Sequence, residues 1–128
     1  MLHPLILVAL GGALGSMARY GLSSLMIRQL DPFKFPWPTF CVNVLGCLCA
    51  GLFLAVSERG DGVSAETRLL VVTGLLGGFT TFSAFGMETL SLIRRGDLLM
   101  ALSYVSLSVI MGLCVMWLAY ALMKLVLA

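Results

Sequence analysis

Four apolar runs, at 5–27, 37–57, 68–93 and 98–126, are separated by short stretches that hold most of the charged residues. Each run has the roughly 20 residues a helix needs to cross a bilayer. The pattern predicts an all-α membrane protein, one domain over 1–128 with four transmembrane helices. Polar and small residues inside the runs recur at helical spacing. In the first run Gly11, Gly15 and Arg19 fall on one face. In the second, Asn43, Gly46, Cys47 and Ala50 form a stripe, and in the fourth Tyr104, Ser108 and Gly112 recur every four residues.

The third run breaks the pattern. Gly77 and Gly78, followed by Thr80 and Thr81 near mid-span, are poor helix material, while Thr is a favoured cap for a new helix. The sequence predicts a helix to about Leu76, an unwound stretch from Gly77 to Thr80 and a second helix from about Thr81. Unwound backbone at membrane depth is tolerated only where protein or a cavity covers it. Its freed carbonyls can hold a cation, and the next half-helix N-terminus favours an anion.

Composition narrows the function. The chain is 60% hydrophobic and 11% charged, against about 25% charged in a soluble domain. Four spans leave no room for a soluble catalytic, nucleotide-binding or nucleic-acid-reading unit, so no enzyme activity is expected. The net charge of +2 comes from scattered residues, with no basic patch. The first run lacks a basic leader and a small-residue cleavage site, so it is read as a span and not as a signal peptide. Cys41, Cys47, Cys49 and Cys114 lack paired spacing, and His3 is the lone histidine. They are read as packing residues, not as a zinc or redox site.

Charge also bears on orientation. An even number of spans puts both termini on one side. Arg28, Lys34, Arg94 and Arg95 then lie on one side of the membrane, and Arg59, Arg68 and Lys124 on the other. The excess of basic residues that normally fixes orientation is almost absent. One reading is a single orientation with a weak signal; the other is insertion both ways and head-to-tail pairing. Four helices enclose little space, so an oligomer is expected. The Gly11/Gly15 and Gly74/Gly78 pairs allow close helix approach, either between subunits or within the chain.

The intramembrane polar groups indicate the chemistry. Phe82 and Phe85 lie at i and i+3, with Glu88 a turn further, among Thr and Ser hydroxyls. Hydroxyls and amides donate hydrogen bonds, and a phenyl ring has a positive edge. Such groups can replace the hydration of a small anion without trapping it, as conduction requires. The chemistry points to anion passage.

Gly11-Gly12-Ala13-Leu14-Gly15-Ser16-Met17-Ala18-Arg19-Tyr20 resembles the first-span signature of the Fluc (CrcB) fluoride channels. Val42-Asn43-Val44-Leu45-Gly46 resembles their second-span motif, and Gly77-Gly78-Phe79-Thr80-Thr81-Phe82-Ser83-Ala84-Phe85 their third-span signature, departing from it only at Ala84. The resemblance covers the whole chain. It implies a passive fluoride exporter that confers fluoride resistance on a bacterium from its cytoplasmic (inner) membrane. The assembly implied is an antiparallel, dual-topology homodimer in lipid, with two pores. A structural sodium ion at the dimer centre would be bound by the main-chain carbonyls of Gly77 and Thr80. Each anion pathway would be lined by Asn43, Phe82, Ser83, Phe85, Tyr104 and Ser108. Arg19, Thr81 and Glu88 match positions in the pathway or its vestibule.

Two rival classes have other requirements. A proton-coupled small multidrug exporter has the same outline but needs a carboxylate in its first span, where this chain has only Arg19. A non-transporting assembly or regulatory protein would not need polar stripes on three spans.

Overall fold

The computed structural model describes residues 3–28, 35–59 and 63–127. Helix starts follow local chemistry. Pro4 opens α1 (Pro4–Ile27), where its missing N–H costs nothing, and His3 Nδ1 accepts from the Leu5 N–H at 3.3 Å. Pro38 sits in the first turn of α2 (Trp37–Ser57). Ser64 Oγ accepts from the Thr67 N–H at 3.1 Å and caps α3, which covers 65–79. Within α3 an α-turn at Ala65–Arg68 leads into a π-helical stretch at Leu69–Leu76 and a last turn at Gly77–Phe79. After a break come α4 (Phe82–Arg94) and α5 (Leu98–Leu127).

Gly96 closes the turn between α4 and α5. Its φ of +84° is the left-handed conformation that glycine adopts freely. The Asp97 N–H then reaches the Leu92 carbonyl at 3.0 Å, satisfying an end of α4.

Four helical segments are long and apolar enough to cross a membrane: Pro4–Ile27, Trp37–Ser57, Ala65–Arg94 and Leu98–Leu127. The third contains the break. α1 packs along α3 and α2 along α5, while α4 leans on α5. Lipid supplies no hydrophobic force between helices, so close packing depends on small residues. Gly11 and Gly15 are buried against α3, where a Cβ on Gly11 would lie 2.9 Å from the Gly74 Cα. The two glycine pairs therefore serve contact inside the chain. Large apolar side chains such as Met17, Leu99 and Leu125 point outward, as expected where the surroundings are hydrocarbon.

The break differs in extent from the sequence expectation. Gly77 and Gly78 stay helical, and only Thr80 (φ −81°, ψ 160°) and Thr81 (φ −150°, ψ 116°) are extended. The reason is packing: a Cβ on Gly78 would lie 2.9 Å from the Gly12 Cα, so the glycine is used for close approach to α1.

Candidate functional site

Breaking a helix strands backbone groups at both new ends, and the residues around the break take up several of them. The Thr80 N–H and Thr80 Oγ1 both donate to the Leu76 carbonyl, each at 2.9 Å. Arg19 Nε donates to the Gly78 carbonyl at 3.1 Å, joined by Ser16 Oγ at 3.4 Å. Asn43 pairs with Thr81 as a strand would: Oδ1 accepts from its N–H at 2.9 Å and Nδ2 donates to its carbonyl at 3.2 Å. Thr81 Oγ1 caps α4 by accepting from the Ala84 N–H at 3.2 Å.

Among the described residues, three carbonyls at the break, those of Gly77, Phe79 and Thr80, accept no hydrogen bond. The Thr80 and Thr81 amides, which would ordinarily close on the Gly77 carbonyl, are engaged elsewhere. Of these residues, Gly77 and Thr80 line a cavity of about 460 Å³ beside the break.

That cavity gathers most of the candidate pathway. Asn43, Phe82, Phe85 and Ser108 line it with Thr81, and so do Gly46, Cys47 and Ala50 from the stripe on α2. Ser108 Oγ is buried in its wall without a hydrogen-bond partner among the described residues. Phe82 is 85% exposed in the single chain. Its ring lies 5.7 Å from Phe85, whose ring lies 5.1 Å from that of Tyr104.

A second cavity of about 440 Å³ lies between α1, α2 and α4. Arg19, Thr81 and Glu88 line it, with Thr39, Ser91 and Arg95. Thr81 borders both cavities, so the break is the wall between them.

Two candidates sit apart from this lining. Tyr104 is fully buried and its hydroxyl donates to Glu88 Oε2 at 2.6 Å, so that donor is already engaged. Ser83 is exposed, with its Oγ 3.3 Å from Thr81 Oγ1, and lines neither cavity. Lys34 of the charge count lies outside the described residues. The sequence reading passed over Thr39, which is buried and donates to Glu88 Oε1 at 2.7 Å. A signal existed: Thr39 stands one turn before Asn43 on the same stripe. It also passed over Ser16, and over Phe35, whose ring packs 5.4 Å from Tyr104.

No group of three or more His, Cys, Asp or Glu side chains able to hold a metal occurs among the described residues. The oxygens at the break are main-chain carbonyls, a donor set that suits an alkali cation. The arrangement as a whole offers two cavities, neutral donors and ring edges around one break. It suits passage of a small ion.

Known proteins resemble this sequence. The profile of the family described as "CrcB-like protein, Camphor Resistance (CrcB)" matches residues 6–120. The fluoride-specific ion channel FluC of Methylobacillus flagellatus is 47% identical over 123 residues, covering 96% of each chain. That of Allorhizobium ampelinum is 52% identical over 107 residues, covering 84% of this chain and 85% of its own. That of Thermus thermophilus is 48% identical over 117 residues, covering 91% and 92%. With the profile spanning all but the ends and relatives matched nearly end to end, this broken-helix membrane protein belongs to the CrcB family.

Proposed function

We propose that the chain is a fluoride-selective ion channel of a bacterial cytoplasmic membrane, and not an enzyme. It exports fluoride passively. The observation that carries this reading is the unpartnered Ser108 hydroxyl, buried in a cavity with the Asn43 amide and the Phe82 and Phe85 rings. A buried hydroxyl without a partner costs about 1–3 kcal/mol, and an ion passing through the cavity would offset that cost. Relatives named as fluoride channels, matched nearly end to end, support fluoride as the ion.

Each group has a task. Asn43 Nδ2 carries two hydrogens and donates one to Thr81, which leaves the other for the anion. Ser108 supplies a hydroxyl, and the rings supply positive edges where water is shed. Tyr104 acts through Glu88, which it holds together with Thr39. Arg19, Thr81 and Glu88 form the vestibule, and Ser83 extends the pathway at its exposed side.

The working unit is an antiparallel homodimer in lipid, with two pores. The exposed Phe82 supports a partner surface, and the nearly balanced basic residues support insertion in both directions. The spans lie close to 5–27, 37–57, 68–93 and 98–126. The carbonyls of Gly77 and Thr80 fit a structural sodium ion at the dimer centre, which would neutralise the carbonyl end of α3. Export needs no energy source: hydrofluoric acid enters and dissociates, and an inside-negative potential drives the anion out at about 2.3 kcal/mol per 100 mV.

The test is fluoride efflux from liposomes holding the purified protein, with chloride as control. Rapid fluoride and negligible chloride efflux are expected; equal rates overturn the reading. The alternative, a proton-coupled small multidrug exporter, predicts proton-driven uptake of a cationic dye instead. It lacks the first-span carboxylate it needs, since α1 holds no Asp or Glu.

A further inference from the structure

We infer that Arg19 is a positioning residue for the break, acting through its Nε–H rather than through its charge. By holding the Gly78 carbonyl, it fixes the end of α3 against α1 and so sets where Thr80 and Thr81 leave the helix.

The last carbonyls of a helix lack partners and carry the negative end of its dipole. At the end of α3, the Leu76 carbonyl is satisfied locally by Thr80. The Gly78 carbonyl is satisfied across 59 residues of sequence, by Arg19 Nε at 3.1 Å, with Ser16 Oγ on the same oxygen. The backbones are close enough for this reach because Gly15 on α1 and Gly78 on α3 carry no side chain: a Cβ on Gly15 would lie 2.7 Å from the Phe79 nitrogen, and one on Gly78 2.9 Å from the Gly12 Cα. Arg19 stands one turn beyond Gly15 and closes the contact.

Charge alone does not account for the arrangement. The ion pairs among the described residues are Arg95 with Asp97 and Lys124 with Glu58, so Arg19 is paired with no Asp or Glu among the described residues. A cation within a membrane span is costly and is kept where something uses it. The atom used here is Nε, on the stem of the side chain, while the contact partner is a neutral carbonyl. Lysine has a methylene at that position. Glutamine has its amide nitrogen there, the same number of bonds from Cα.

That topology makes the test. Arg19→Gln keeps the donor at the Nε position and loses the charge; Arg19→Lys keeps the charge but moves its donors one bond beyond that position; Arg19→Met loses both. Hydrogen–deuterium exchange of the purified full chain in nanodiscs would follow the amides at 80–84. Exchange about tenfold faster than wild type is expected for the Lys and Met variants, and within about twofold of wild type for Gln, because local opening sets the rate. Wild-type exchange in the Lys variant overturns the inference in favour of charge, and unchanged exchange in all three overturns any role at the break. Should the Met variant fail to fold, the Lys and Gln pair decides.

A second readout links the break to the proposed sodium, and this part rests on the reading above. The thermal midpoint of wild type should rise on exchanging N-methylglucamine for sodium, and this gain should shrink in the Lys variant but persist in the Gln variant. No gain in wild type would overturn the sodium reading, while the exchange comparison still decides the role of Arg19. A full gain in the Lys variant would overturn the link from Arg19 to the cation site.

Discussion

Asn43 holds Thr81 by both ends of its amide, accepting from the Thr81 N–H at 2.9 Å and donating to the Thr81 carbonyl at 3.2 Å. A side chain on α2 therefore replaces the helical hydrogen bonds that the break removes. Asn43→Asp keeps the acceptor but sets a carboxylate oxygen against the Thr81 carbonyl. Asn43→Ser is too short to span both groups. Both should lower stability by about 1–3 kcal/mol, the cost of unpaired buried polar groups. Asp should also abolish fluoride efflux, because its charge repels the anion at low dielectric. Efflux beside thermal melting checks the pair; a Ser variant worse than Asp in efflux would contradict the electrostatic argument.

The two phenylalanines should separate packing from conduction. Phe82 is 85% exposed, whereas Phe85 packs on Tyr104 at 5.1 Å. Phe82→Ile should leave the melting of the isolated chain unchanged, while Phe85→Ile should cost about 1 kcal/mol of aromatic contact. Fluoride efflux should collapse in both, since each loses a ring edge. Wild-type efflux from both variants would mean that the rings only pack.

A methyl group at Gly78 should part α1 from α3. The added Cβ would stand 2.9 Å from the Gly12 Cα, where backbone meets backbone and neither can yield cheaply. Gly78→Ala should destabilise the protein by about 1–3 kcal/mol, as overpacking does. Gly86→Ala is the control, because its Cβ would meet nothing within 4 Å. Size-exclusion profiles and thermal melts of the two variants would show the difference.

Glu58 ties the end of α2 to α5. Its carboxylate accepts from the Tyr120 hydroxyl at 2.8 Å and from Lys124 Nζ at 3.2 Å, which holds it below the ordinary carboxylate value of 4.5. A depressed native value means the clasp stabilises above the unfolded value and is lost as pH falls through the native one. The gap in melting midpoint between wild type and Glu58→Gln should be present at neutral pH and close in acid. The group is exposed, so the gap should also shrink in high salt.

Orientation is open to a direct test. Reporter fusions at the C-terminus should appear on both sides of the membrane, given four basic residues on one side and three on the other. Adding two or three Lys beside Glu66, which makes that side the more basic, should bias them to one side. A single orientation in the unmodified chain would contradict dual insertion.

The periodic parts of this protein were legible in the sequence. The apolar runs marked, to within a few residues, the four helical segments long and apolar enough to cross a membrane, and the stripe of Asn43, Gly46, Cys47 and Ala50 does line one cavity. Thr81 does cap the second half-helix. These features follow from hydropathy, from the 3.6-residue repeat and from capping chemistry, all of which act within one segment. The length of the break did not follow from them. Gly77 and Gly78 have low helix propensity yet stay helical, and Gly78 packs closely on α1, so at that position packing outweighs propensity.

Partners across segments were decided by the tertiary structure. Helical spacing states which residues share a face and says nothing about what that face meets. Only the folded chain brings Thr39 and Tyr104 onto opposite oxygens of Glu88, so that the Tyr104 hydroxyl donates to a carboxyl group. Only the fold directs Arg19 to a carbonyl 59 residues away, and turns the Gly11 and Gly74 motifs toward each other inside one chain. Those pairings depend on how α1, α2 and α5 pack around a broken helix. Distances of that kind are properties of the assembled helices, and no local pattern encodes them.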